Sequence, residues 1–323
     1  MLARYTGVTD PGRRRRRNED AYVCVPPLFA IADGMGGAQA GEVASGLAAA
    51  VLEEATGDER GEDRVASLIQ EANRRVYLRS SEDATTSGMG TTMTVALVDD
   101  SDGTIAFGHV GDSRAYRVRG GELEQLTDDH SLVGELVRGG RLSPEEAETH
   151  PQRSVITRAL GTEPDVDIDT FTVDAEPNDI YLLCSDGLTD MISAGEILGA
   201  VETGSDLEDA ARRLVEAANA GGGEDNITVV LFQIDGADGG ETAQMPAAVA
   251  PHADADEDTL SPLDAVPAVD TAVIPVAAVE EHLERTEAER AGREEPRRRI
   301  VPLVLLVVLL VILLALALWG LTR

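Results

Sequence analysis

The sequence predicts an α+β fold: two antiparallel β-sheets packed face to face with helices outside, a four-layer α-β-β-α sandwich, followed by a C-terminal transmembrane helix. Three observations predict it. Residues 1–235 alternate short apolar or β-branched runs with Gly- and Asp-rich turns. Pairs of helical patterns interrupt those runs. Residues 300–321 form one unbroken uncharged stretch.

Strands are expected at 4–8, 21–25, 28–32, 92–99, 104–110, 115–119, 167–173, 180–184 and 227–234. Helices are expected at 41–54, with Val43, Leu47, Ala50 and Val51 on one face, and at 63–79, with Val65, Leu68, Ile69, Ala72 and Val76. Two more follow at 194–201 and 207–220. About 235 residues is an ordinary length for one domain, and no internal repeat is visible.

The final element reads IVPLVLLVVLLVILLALALWGL over 300–321. As a helix it would be roughly 33 Å long, enough to cross a hydrocarbon core of about 30 Å. Pro302 falls in its first turn, where a missing N–H does no harm. Trp319 lies near its far end, where indole favours the interface. Arg297, Arg298 and Arg299 immediately precede it. Positive flanks stay on the cytoplasmic side, so the expected location is the cell membrane, single-pass, with the body in the cytosol. The N-terminal residues lack the apolar core of a signal peptide. Residues 236–299 read as an acidic, Ala/Pro-rich juxtamembrane linker whose first part buries too little to fold. Its later part, VEEHLERTEAERAGREE at 279–295, favours a solvated helix.

Charge narrows the function. The chain has 323 residues, 27 cationic and 59 acidic side chains, and a formal net charge of −32. Every cation is Arg. So acidic a chain repels nucleic-acid backbones, and no nucleic-acid partner is expected. The two cysteines, Cys24 and Cys184, make neither a disulfide framework nor a Cys-rich zinc site.

The informative acidic residues stand at the ends of apolar runs. LFAIA leads into Asp33 and Gly34, IAFGHVG into Asp112, IYLLCS into Asp186, and Asp225-Asn226 opens into ITVVLF. Glu19 and Asp20 precede AYVCV. Singly, an Asp-Gly pair is a common hairpin turn. Together, carboxylates at strand ends can converge at one end of a sandwich, where they repel unless cations neutralise them. Oxygen-only donors select hard ions such as Mg²⁺ or Mn²⁺.

These segments resemble the metal-dependent Ser/Thr protein phosphatases of the type 2C (PPM) family, bacterial branch. The resemblance rests on R-x-x-N-E-D (15–20), D-G-M-G-G (33–37), G-E-V-A-S (41–45), G-M-G-T-T (88–92), H-V-G-D-S-R (109–114), the run 127–161, L-L-C-S-D-G-L (182–188) and G-x-D-N-I-T-V-V (223–230). It makes residues 1–235 the catalytic domain and leaves the linker and anchor uncovered.

The resemblance implies a binuclear Mn²⁺ or Mg²⁺ centre, with a place for a third ion. Asp33 would bridge two ions, the Gly34 carbonyl would bind one, and Asp186 and Asp225 the other. Glu19 and Asp20 match positions that bind or orient through water. Asp112, with Asp186, matches the holder of the third ion. Arg15 matches the arginine that grips the substrate phosphate, and residues 132–160 the flap beside the site. The implied reaction is hydrolysis of phosphoserine or phosphothreonine in proteins by a solvent molecule that the paired ions ionise, so neither cysteine need be a nucleophile. Met35, where some relatives carry His, donates no proton, and His109 reads as a structural residue.

The remaining arginines of the run 13–17 read as a solvated basic patch, or as a lure for phosphorylated acidic segments. Expected partners are phosphorylated proteins at the membrane, among them a transmembrane Ser/Thr kinase whose action the enzyme opposes. A non-catalytic phosphoprotein-binding relative should lack one of the carboxylates, and all are present here.

Overall fold

A computed structural model describes residues 2–36, 40–82, 85–236 and 272–273. Two antiparallel sheets carry the fold. The first has strand order β1(Leu2–Asp10), β12(Ile227–Ile234), β11(Ile180–Cys184), β7(Arg114–Arg119), β8(Glu122–Gln125). The second runs β10(Asp169–Asp174), β6(Thr104–Val110), β5(Met93–Asp99), β3(Leu28–Met35), β2(Asp20–Val25), with the short β4(Gly90–Thr91) also on β3.

Period-2 alternation builds three cores between four layers. On β3, Phe29 and Ile31 face the other sheet, whereas Leu28, Ala30 and Ala32 face helices. On β12, Val230, Phe232 and Ile234 face inward and Ile227, Val229 and Leu231 face helices. Phe29 stacks on Phe232 at 4.4 Å between ring centroids, so the inner faces meet through aromatic pairs. The helices α1(Ala40–Glu53) and α2(Glu62–Glu82) cover one outer face. The other is covered by α5(Asp186–Thr189), α6(Ala194–Thr203) and α7(Leu207–Gly221). The predicted four layers are therefore present.

The buried face of α2 is the predicted one, joined by Asn73. That of α1 is rotated: Ala44, Ala48, Val51 and Leu52 are buried, while Val43 and Leu47 are only partly so. Small alanines let this helix approach the sheet and α2 closely, and that approach overrides the larger apolar residues beside them. Strand β8 was not expected, because its sequence ELEQ is an exposed, polar edge.

The segment 132–160 folds as α3(Leu132–Arg138), α4(Pro144–Glu148) and β9(Val155–Ile156). Ser131 caps α3, and Ser143 and Glu146 form a reciprocal capping box on α4. Its far end is tied to the sandwich where Leu160 and Thr91 exchange backbone hydrogen bonds at 2.9 and 3.1 Å. Of the expected linker, Gly236 and β13(Ala272–Val273) are described; β13 pairs in parallel with β9. The expected transmembrane helix at 300–321 lies outside the described residues, and among the described residues no helix is long and apolar enough to cross a membrane.

Candidate metal and phosphate site

Strand register brings the predicted residues together at one end of the sandwich. Asp20 opens β2 directly opposite Asp33 on β3. Asp33 and Gly34 therefore lie within a strand, not in a hairpin turn. Asp186 begins the short helix α5 straight after β11, so Asp186-Gly187 is not a hairpin either. Asp225, with Asn226, leads into β12, the strand between β1 and β11. Asp112 sits in the turn between β6 and β7, one on each sheet.

Hydroxyls fix these carboxylates. Asp20 Oδ2 accepts from Ser185 Oγ at 2.9 Å and from Thr228 Oγ1 at 2.5 Å, pinning it to both β11 and β12. The Asp33 N–H donates to Thr92 Oγ1 at 3.0 Å, and the Thr92 N–H donates back to the Asp33 carbonyl at 2.9 Å. Thr92 Oγ1 also pairs with Ser113 Oγ at 2.8 Å, which joins the Asp33 strand to the Asp112 turn. Asn226 accepts the Glu19 N–H at 2.8 Å and donates to the carbonyls of Pro11 and Arg17 at 3.0 and 2.8 Å, framing the arginine loop.

Glu19 contributes its backbone as much as its side chain. Its carbonyl accepts from the Gly34 N–H at 3.1 Å and from Ser45 Oγ at 2.5 Å. A Cβ on Gly34 would stand 2.1 Å from the Gly41 carbonyl oxygen, and one on Gly41 would stand 2.6 Å from Glu19 Oε2. Only glycine fits at either position, which explains both motif glycines.

The electrostatics are those of anions that outnumber their counter-charges, Arg15 and Arg114. Burial, then Asp20, Asp186, Asp225 and Asp112, holds the Asp33 carboxyl well above the usual carboxylate range. Burial, then Asp112 and Asp225, does the same to Asp186. Burial foremost pushes Asp20 up to about 7 despite its two hydroxyl donors. Burial, then Asp129, pushes Asp112 up to about 7. Asp20 Oδ1 and Asp186 Oδ1 are buried without a hydrogen-bond partner. Such oxygens are costly to leave unpaired. A set of hard oxygen donors with two orphaned lone-pair sites fits divalent Mg²⁺ or Mn²⁺. Among the described residues, no three acidic, histidine or cysteine side chains close on one point at metal-ligand spacing; the set is gathered, with one Asp225 oxygen turned to Arg15.

Arg15 Nη2 donates to Asp225 Oδ2 at 2.6 Å, with the Arg15 side chain 25% exposed. It stands on the arginine loop and is partly exposed. Arg13 donates to the Asn219 carbonyl at 2.9 Å, and Arg14 and Arg17 lie 3.9 and 4.0 Å from Glu224 and Glu42. Most of the run is thus engaged with the body.

Met35 is buried with Ile156 and Ala159, an apolar seam that seats the flap beside Asp33 and Gly34. His109 is buried, with Nδ1 2.9 Å from Thr94 Oγ1 and Nε2 3.1 Å from the Asp128 carbonyl, as a structural histidine should be. Burial pushes Cys184 up to about 12, so no reactive thiolate is present there. Sequence reasoning missed Thr92, Ser185, Thr228 and Asn226, although all four lie inside quoted motifs. It also missed Asp190, one helical turn after Asp186, which flap residue Arg153 approaches to 3.8 Å.

Residues 14–230 match the family model described as Protein phosphatase 2C. The chain is 41% identical over 239 residues to the serine/threonine phosphatase stp of Listeria monocytogenes, covering 70% of this chain and 94% of that protein. The crystal structure of the Mycobacterium tuberculosis serine/threonine phosphatase PstP/Ppp superposes with a TM-score of 0.69 at 41% identity, covering 73% of this chain and 100% of that one. A second crystal structure, the PstP catalytic domain in complex with two manganese ions, superposes with a TM-score of 0.65 at 38% identity, covering 72% and 99%.

Proposed function

Because the chain belongs to the protein phosphatase 2C family, and is thereby a metal-dependent protein serine/threonine phosphatase, we propose that its gathered aspartates are the residues that would hold two divalent cations, and that the enzyme hydrolyses phosphoserine and phosphothreonine in proteins. The observation that carries this reading is the cluster of Asp20, Asp33, Asp112 and Asp186. Burial foremost, and then neighbouring carboxylates, raise all four carboxyls, and two of their oxygens are orphaned.

When bound, paired Mn²⁺ or Mg²⁺ ions would neutralise this repulsion and ionise a solvent molecule near neutral pH. Asp33, Asp186, Asp225 and the Gly34 carbonyl are the residues that would hold them, with Asp20 and Glu19 behind. Asp112 with Asp186 provides the place for a third. Arg15 uses one nitrogen on Asp225 and has the rest of its planar fork for two oxygens of the phosphate. This orients the phosphorus for in-line attack. The seam of Met35, Ile156 and Ala159 seats the flap beside Asp33 and Gly34. No cysteine takes part.

We further propose that residues 300–321 anchor the enzyme in the cell membrane, with residues 1–235 cytosolic on the linker 236–299. The uncharged run and the preceding Arg297–Arg299 triplet support this. The substrates are then phosphoproteins near the membrane, including a Ser/Thr kinase that spans it. Deleting 300–323 should move the protein from the membrane fraction to the soluble one; retention in membranes would overturn the anchor.

The enzymatic reading is tested by phosphate release from a phosphothreonine peptide, with Mn²⁺ and with excess chelator. Activity should require the metal and should vanish in Asp33→Asn. Hydrolysis that survives chelation would refute it.

A further inference from the structure

His130 sits where three parts of the sandwich meet, with only 1% of its surface exposed. Its Nδ1 accepts the Gly111 N–H at 3.1 Å, and its own backbone N–H donates to the Gly111 carbonyl at 2.8 Å. Its Nε2 lies 3.1 Å from Asp169 Oδ2. A backbone amide can only donate, so Nδ1 is the bare nitrogen and the ring proton sits on Nε2, directed at Asp169. Each nitrogen therefore has one fixed task.

The two tasks lead to different places. Gly111 immediately precedes Asp112 and has φ of +110°. A Cβ there would stand 2.5 Å from the Thr92 Cβ, so the turn carrying Asp112 is closely confined and hangs on the His130 ring from one side. Asp169 Oδ1 receives Arg158 Nη1 at 2.7 Å, and the His130 carbonyl accepts the Thr157 N–H at 2.8 Å. Thr157 and Arg158 follow β9 and form the exit of the flap. Beneath the ring, His109 packs at 4.7 Å between centroids and blocks any swing out of this position.

We propose that His130 is a positioning residue that registers the flap against the Asp112 turn, one nitrogen serving each. The inference rests on the phosphatase reading above only for what the two places do; the linkage itself is structural. Its Nδ1 arm sets the Asp112 carboxylate for a cation. Its Nε2 arm, through Asp169 and Arg158, sets the flap for the protein part of the substrate.

Two near-isosteric substitutions in the full-length chain separate the arms. His130→Asn keeps an acceptor where Nδ1 stands and loses the reach to Asp169. His130→Gln keeps a donor near Nε2 and loses the acceptor for Gly111. In His130→Gln, one Mn²⁺ site followed by calorimetry should weaken by about tenfold. Amide exchange across 106–116 should quicken in the chelated protein, with KM for a phosphothreonine peptide unchanged. In His130→Asn, Mn²⁺ binding should hold, exchange across 153–160 should quicken, and KM for the peptide should rise several-fold while KM for p-nitrophenyl phosphate stays put. Asp169→Asn, at a half-exposed position that tolerates substitution, should reproduce His130→Asn. Equal losses in both variants that merely follow their loss of thermal stability, or no split between the two exchange regions, would overturn the proposal. Exchange is read without metal, so it decides the role of His130 even if the wild-type chain binds no Mn²⁺, the result that would defeat the phosphatase reading instead.

Discussion

Asp20 and Asp33 face each other across the β2–β3 ladder, two carboxylates as direct cross-strand neighbours. Like charges so placed destabilise a sheet. One of them, Asp20, is held by Ser185 and Thr228 through one oxygen while the other oxygen has no partner. A stable sandwich can carry this pair only if protons or cations take up the charge, and that condition sets the pH behaviour of the protein.

Asp20 and Asp112 titrate near 7 when folded, above their ordinary unfolded range near 4. A carboxyl raised by folding adds stability below its unfolded pKa and forfeits it as pH climbs through the folded value. The chelated protein should therefore lose thermal stability between about pH 4 and pH 7, by on the order of a few kcal/mol. Saturating Mn²⁺ should reverse the loss above pH 7. Calorimetric melting at pH 5 and pH 8, with and without metal, checks this; a chelated protein more stable at pH 8 would disprove it.

Thr92 joins the Asp33 strand to the Asp112 turn through one hydroxyl. Thr92→Val preserves shape and removes that oxygen, leaving the Asp33 N–H and the Ser113 hydroxyl each short of a partner in a buried place. Urea unfolding should show a loss of about 1–3 kcal/mol, and Mn²⁺ affinity should fall with it. Wild-type stability together with wild-type Mn²⁺ affinity would show that the hydroxyl does not position the site.

Much of this was legible from residue spacing. The period-2 runs gave the strands, the 65/68/69/72/76 stripe gave the buried face of α2, and the aspartates at the ends of apolar runs pointed to the carboxylates that crowd around Asp33. The positioning groups were not legible. Thr92, Ser185 and Thr228 read as ordinary strand or turn residues, because only cross-strand register shows which hydroxyl meets which carboxylate. His130 needed the tertiary fold to bring it to Gly111 and Asp169. The flap helices did carry a signal: Ser143, Pro144 and Glu146 spell a capping box with proline at the first helical position. The face of α1 was misplaced because packing there favours small size over hydrophobicity.

Arg15 reaches Asp225 with a single nitrogen. Arg15→Lys keeps the charge and loses the planar fork, so kcat/KM for a phosphothreonine peptide should fall about 10–100-fold. Mn²⁺ binding should be little changed. An unaltered kcat/KM would remove Arg15 from phosphate recognition.

Arg114 and Asp129 form a two-pronged ion pair at 2.7 and 2.9 Å beside the Asp112 turn. Both are partly shielded from solvent, with 29% and 16% of the side chains exposed. Asp129→Ala leaves the guanidinium without its partner and should lower stability by about 2 kcal/mol, between the values for exposed and buried pairs. It also removes a negative neighbour of Asp112, whose carboxyl should then titrate lower. Carboxyl-detected NMR of the chelated protein follows that shift, and an unmoved Asp112 would show that Asp129 does not act on it.

The most direct test of the account is the number of Mn²⁺ ions the full-length chain binds, measured by calorimetric titration near pH 7.5 beside Asp33→Asn. Two tightly bound ions per chain in the wild type, with any third held more weakly, and loss of both tight sites on replacing Asp33, is the predicted result. Wild-type protein that takes up no Mn²⁺, or Asp33→Asn protein that binds it as well as wild type, would contradict a cation site built on these aspartates.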